Sequence, residues 1–124
     1  MFSRIMYVTV FVSDQDKALD FYTRSFGFQK RADYSGPEGR FLTIALEDQG
    51  FEVLLWLGNA GQAQGAPGLA TLFIESNDLR KDFAELKQRG VQFLEPEPET
   101  YPFGMRVTAL DPDGNPVALR QTRK

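Results

Sequence analysis

The feature that most constrains the fold is an internal repeat at an offset of about 64 positions. Asp14 meets Asp78, Leu19 meets Phe83, Tyr22 meets Leu86, Gly50 meets Gly114 and Leu55 meets Leu119. The order of element types repeats with the residues. A repeated supersecondary unit cannot bury its apolar face alone, so the two copies are expected to stack into one structure.

Each copy opens on an alternating, β-branched and aromatic run, which predicts a strand over residues 5–12 and another over Leu69–Glu75. Ser13 and Asn77 stand where helix N-caps belong, with Asp14 and Asp16 in the first turn, where the helix dipole favours them. Ala18, Leu19, Tyr22 and Phe26 recur at helical spacing, as do Leu79, Phe83 and Leu86. Gly27 and Gly90 are placed to end the helices in the left-handed conformation. Three strands follow in the first copy, near Phe28–Asp33, Phe41–Glu47 and Phe51–Leu57, separated by Tyr34–Gly39 and Asp48–Gly50, both rich in turn formers. In the second copy the strands fall near Val91–Leu94, Met105–Leu110 and Pro116–Gln121, with a Pro/Glu-rich loop from Glu95 to Pro102. Asp111-Pro112-Asp113-Gly114-Asn115 has turn chemistry and reads as a turn, not a ligand set. The segment Gly58–Gly68 lacks apolar periodicity and reads as a linker. The expected organisation is a single α+β domain over 1–124: two βαβββ modules, 1–57 and 69–124, joined by residues 58–68, forming a curved mixed sheet around a cup.

Strand alternation says what lines the cup. The helix takes the aliphatic face of the first strand, leaving Tyr7, Thr9 and Phe11 to the cup. The fourth strand adds Glu52, Leu54 and Trp56; the fifth adds Thr71, Phe73 and Glu75; the last adds Pro116, Ala118 and Arg120. Arg106 joins them from the preceding strand. Apolar walls with sparse polar anchors are the usual make-up of a small-molecule pocket. The same aromatics would equally serve a filled core. A guanidinium inside the cup would fork onto a carboxylate or phosphate; Arg120, near the chain end, would equally serve as a solvated edge residue.

Composition removes several chemistries. The chain has no cysteine and no histidine, so disulfides, thiolate nucleophiles, Ser-His arrangements and the commonest transition-metal ligand are all absent. Seventeen acidic residues stand against 14 basic ones, a net charge of −3, which argues against a nucleic-acid partner. No apolar run reaches the length of a membrane span, and no charged-then-apolar leader opens the chain, so the expected compartment is the cytoplasm.

Val10–Phe28 (V-F-V-S-D-Q-D-K-A-L-D-F-Y-T-R-S-F-G-F), Phe83–Phe93 (F-A-E-L-K-Q-R-G-V-Q-F) and Asp111–Leu119 (D-P-D-G-N-P-V-A-L), with Pro102–Arg106 between the last two, resemble the vicinal oxygen chelate superfamily. That superfamily includes glyoxalase I, extradiol dioxygenases, fosfomycin resistance proteins and bleomycin-binding proteins. The resemblance implies the paired-module fold, a homodimer, and in enzymatic members a metal held by inward-facing His, Glu or Gln. The implied ligand positions hold Tyr7, Leu54, Thr71 and Ala118, of which two offer no donor at all. No metal, cofactor or catalytic residue is therefore expected. The resemblance to the bleomycin-resistance branch implies a metal-independent protein that binds or sequesters a small aromatic or cationic molecule. The alternative is a metal-dependent lyase, transferase or dioxygenase with atypical ligands, for which Glu52 and Glu75 are the available carboxylates.

Overall fold

The computed structural model describes residues 1–47, 50–58 and 70–122. All of the expected linker except Gly58 lies outside the described residues, as do Asp48 and Gln49 of the expected Asp48–Gly50 turn. The chain divides into two compact units, Met1–Gln62 and Ala63–Lys124.

The first unit runs β1 (Tyr7–Val12), α1 (Gln15–Phe26), β2 (Gln29–Gly36), β3 (Gly39–Ala45) and β4 (Glu52–Leu57). Its four strands form one mixed sheet in the order β1-β4-β3-β2, with β1 parallel to β4 and the other pairs antiparallel. The alternation expected from sequence decides which face is covered. Val10, Val12, Leu42, Ile44, Val53 and Leu55 are buried on the helix side, together with Ala18 and Tyr22 of α1. The Gln15 amide fastens the start of that helix to the sheet, donating through Nε2 to the carbonyls of Arg40 (3.0 Å) and Leu55 (2.9 Å).

Two local expectations shift. Asp14, not Ser13, is the N-cap of α1: its side chain accepts from the Lys17 N–H at 3.0 Å. Both residue types cap well, and the carboxylate brings charge to the helix dipole as well as a hydrogen bond. The turn expected over Tyr34–Gly39 is much tighter. β2 continues to Gly36 and β3 begins at Gly39, leaving Pro37 and Glu38 between them. Gly39 sits at φ 136°, where a side chain is strained, so glycine is what permits the early re-entry.

Arg40 ties this hairpin to α1. Its Nε and Nη2 fork onto Asp33 at 2.8 and 2.9 Å, and its Nη1 reaches Asp16 at 2.8 Å. The hydrogen bonds from Arg40 hold the Asp33 carboxyl well below the usual carboxylate range, at about 2, and the two aspartates in turn raise the Arg40 guanidinium. A carboxyl whose folded pKa is depressed contributes stability above its ordinary value and loses it as pH falls towards about 2. Wild type is therefore expected to be more stable than Arg40→Gln at neutral pH, and that advantage should shrink between pH 4 and pH 2. Thermal denaturation of both proteins across that range checks this; a constant gap would mean the contact is not coupled to folding.

The second unit repeats the plan: β5 (Leu72–Glu75), α2 (Leu79–Gln88), β6 (Gln92–Phe93), β7 (Glu99–Tyr101), β8 (Gly104–Leu110) and β9 (Pro116–Thr122). The sheet order is β5-β9-β8-β6, with β5 parallel to β9 and β7 paired to β8. Leu72, Val107, Ala109, Val117 and Leu119 are buried with Leu79 and Leu86 of α2. Asp78, not Asn77, caps α2, accepting from the Lys81 N–H at 3.2 Å. The Leu79 N–H donates to Gln121 Oε1 at 2.8 Å, so here too a glutamine amide joins the start of the helix to the sheet.

β7 corrects the loop expected over Glu95–Pro102. Glu99, Thr100 and Tyr101 pair with Arg106, Met105 and Gly104 through a turn at Pro102-Phe103. Prolines at 96, 98 and 102 remove strand signal on both sides of this three-residue segment. The turn reading of residues 111–115 agrees with the structure. The buried Asp111 accepts from the Asp113 and Asn115 N–H groups and from Asn115 Nδ2, at 2.8–2.9 Å.

Candidate functional site

Each sheet has a helix covering one face; the opposite face carries the residues singled out from sequence. In the first unit the β1–β4 register sets Tyr7 beside Glu52, Thr9 beside Leu54 and Phe11 beside Trp56. Parallel partners point to the same side of a sheet, so these six share the helix-free face. β3 adds Thr43, the partner of Leu54. Phe41, two residues before Thr43 and hence on the same face, meets two tyrosines: Tyr7 edge-on at 5.6 Å and Tyr34 stacked at 5.2 Å between ring centroids. Tyr7 and Tyr34 remain 40% and 62% exposed, which is not the behaviour of rings serving only a core. Trp56 lies across Gly39, where a β-carbon would stand 3.4 Å from the indole Cη2.

In the second unit Phe73 pairs with Ala118, Glu75 with Arg120, Arg120 with Arg106, and Arg106 with Glu99. Thr71 lies one residue ahead of β5. The guanidinium of Arg120 lies over the Phe73 ring at 5.1 Å and within 5.7 Å of Tyr101; that of Arg106 lies over Tyr101 at 4.9 Å. Glu75 Oε2 accepts from the Thr122 hydroxyl at 2.8 Å. A cavity of about 440 Å³ opens at the C-terminal end of β5, lined by Glu75, Ser76, Asn77, Thr100, Gly104, Met105, Gln121 and Thr122; of the site residues expected from sequence, Glu75 alone lines it. Its volume falls in the range of small-molecule sites.

The structure thus places Tyr7, Thr9, Phe11, Glu52, Leu54 and Trp56 on one face of the first sheet, and Phe73, Glu75, Arg106 and Arg120 on one face of the second. Sequence reasoning missed Tyr34, Phe41, Glu99 and Tyr101. Phe41 was recoverable, since it alternates in phase with Thr43 and Ala45. Tyr101 was not, because its strand lay inside an apparent proline loop.

The fold and these faces define a protein of two successive βαβββ-type modules, each sheet carrying aromatic residues on its helix-free face. The chain belongs to the Glyoxalase/Bleomycin resistance protein/Dioxygenase superfamily, whose model matches residues 4–119. Among curated relatives, uncharacterized protein YetH of Bacillus subtilis (strain 168) is 33% identical over 123 residues, covering 98% of this chain and all of that protein. Among solved structures, TnmS3, an antibiotic binding protein from Streptomyces sp. CB03234, is 33% identical with a TM-score of 0.80, covering 98% of each chain. A superfamily member from Sphaerobacter thermophilus DSM 20745 is 32% identical with a TM-score of 0.82, covering 97% of this chain and 98% of that one.

The superfamily implies a metal in its enzymatic members, and the residues at the four implied positions do not fit one. Leu54 and Ala118 carry no donor and are 8% and 2% exposed; Thr71 is a weak donor atom source, and Tyr7 would have to ionise. Among the described residues no group of three or more Asp or Glu side chains is gathered as a metal site would require. Among the described residues, too, no helix is long and apolar enough to cross a membrane.

Proposed function

We propose that this protein binds a flat aromatic small molecule on the helix-free faces of its two modules, without a metal. The observation that carries the reading is the contact set Tyr7–Phe41–Tyr34, in which the two tyrosine rings rest on Phe41 yet stay open to solvent. Exposed, preassembled aromatics supply a large contact area for little loss of side-chain freedom. The antibiotic binding named for TnmS3, at 33% identity over nearly the whole chain, supports the same reading. In it the two modules act as one domain, 1–124, within a cytoplasmic homodimer. On this reading Tyr7, Thr9, Phe11, Glu52, Leu54 and Trp56 supply the binding face of the first module, and Thr71, Phe73, Glu75, Arg106 and Arg120 that of the second.

The test is a panel of neutral, cationic and anionic planar compounds, read by emission of the single tryptophan, Trp56, and by melting temperature. A binder at 100 times its Kd should stabilise the protein by about 2.7 kcal/mol. Protein purified without chelator should carry well below one metal ion per chain, and Ni²⁺, Zn²⁺, Mn²⁺ or Fe²⁺ should not shift its melting. Stoichiometric metal, or a panel without a single response, would overturn the proposal.

A further inference from the structure

One row of the second sheet carries four charges in the order Glu75, Arg120, Arg106, Glu99, across β5, β9, β8 and β7. Like charges directly opposite one another on neighbouring strands are destabilising. A purely structural ladder would relieve the central pair by turning each arginine onto its flanking glutamate. That is not what the side chains do. Arg106 Nε stays 3.7 Å from Glu99 Oε1, well beyond a charge-assisted hydrogen bond, with both side chains about half exposed. Among the described residues no carboxylate lies within 4.0 Å of Arg120, whose guanidinium donates only to the Leu119 carbonyl, at 3.3 Å. Glu75, its neighbour in the row, accepts instead from Thr122. Both guanidiniums are laid against rings, over Phe73 and Tyr101.

Stacking fixes the plane of a guanidinium while leaving its N–H edge available, so less freedom is lost when that edge is used. We propose that Arg106 and Arg120 form an anion subsite that takes the carboxylate of a planar aromatic acid, whose body lies beside Phe73 and Tyr101. A carboxylate matches the planar fork of arginine. A doubly charged phosphate fits less well, because Glu75 and Glu99 flank the pair in the same row. This inference rests on the binding reading above and narrows it to an anionic aromatic.

The experiment is calorimetric titration with an anthraquinone carboxylate and with its carboxamide, the same flat body without the charge. The carboxylate should bind at least tenfold more tightly, as expected when charge-assisted hydrogen bonds are lost. The preference should weaken with added salt, because these side chains are partly exposed. In R106Q/R120Q the ratio of the two affinities should fall to about one, with the far-ultraviolet dichroism of the folded protein retained. R106K/R120K should keep only part of the preference, since lysine supplies charge without the fork. Equal affinities in the wild type, or a preference that survives R106Q/R120Q, would overturn the subsite and leave the aromatic surface standing. Binding of neither probe would overturn the subsite, and the aromatic reading would fall with it only if the wider panel of planar compounds also gave no response.

Discussion

Replacing Tyr22 with alanine is expected to cost about 3–5 kcal/mol, the range for deleting a large aromatic from a packed core. Tyr22 is fully buried, at 0% exposure. Its ring meets Phe21 edge-on at 5.3 Å and Phe28 at 5.9 Å, with Phe26 at 6.0 Å. These neighbours come from α1 and from the chain just after it, so collapse into the cavity would have to move the helix itself. Against a total stability of roughly 5–15 kcal/mol, the loss is large. For a chain of this size it should appear as a fall in melting temperature of roughly 10–20 °C. Tyr22→Phe keeps the ring and should recover most of that loss. A fall of only a few degrees for Tyr22→Ala would mean that α1 repacks freely and does not anchor the first sheet.

The prominence of Tyr22 shows which parts of the fold were legible in the sequence. Its spacing from Ala18 marked the buried helical stripe, and the alternation of Val10 and Val12 marked the strand face beneath it. Both are local periodicities that need no knowledge of the partner. The repeat supplied the long-range order, because the same sequence of elements had to solve the same burial problem twice. What remained hidden depended on contacts distant in the chain. Arg40 and Asp16 are 24 positions apart and meet only once the hairpin folds back over α1. The cap falls on Asp14 and not Ser13: two good capping residues stand side by side, and the carboxylate adds charge at the helix dipole to the hydrogen bond.

The candidate site divides along the same line. Alternation placed Tyr7, Phe11, Trp56, Phe73 and Arg120 correctly on the helix-free faces, since a one-residue error in phase would have sent all of them to the other side. It could not say what each would touch. The stacking of Tyr34 on Phe41 needs the tight Gly36–Gly39 hairpin, which a longer turn reading concealed. The ring of Tyr101, against which both arginines rest, sits on a strand of three residues bounded by prolines. The Glu-Arg-Arg-Glu row therefore appears only when β7 is recognised as a strand.

That row depends on the β8–β9 register, and the register begins at the turn held by Asp111. Leu110 and Pro116 are its first pair; Arg106 and Arg120 follow four residues further along each strand. Asp111→Ala removes the acceptor for the Asp113 and Asn115 N–H groups and for Asn115 Nδ2, in a setting where Asp111 and Asn115 are both buried. The loss is expected to cost about 2–4 kcal/mol here, since several hydrogen bonds to one charged group disappear together. Asp111→Asn keeps an oxygen for the two backbone donors but presents an amide to Asn115, so its stability should fall between the two. Urea denaturation measures all three proteins. The same loss should also reach the arginine pair: at a temperature where Asp111→Ala remains folded, its preference for an anthraquinone carboxylate over the carboxamide should be smaller than that of the wild type. Wild-type stability in Asp111→Ala would mean that the hairpin register is set by the strands, with Gly114 at φ 82° sufficient to turn the chain.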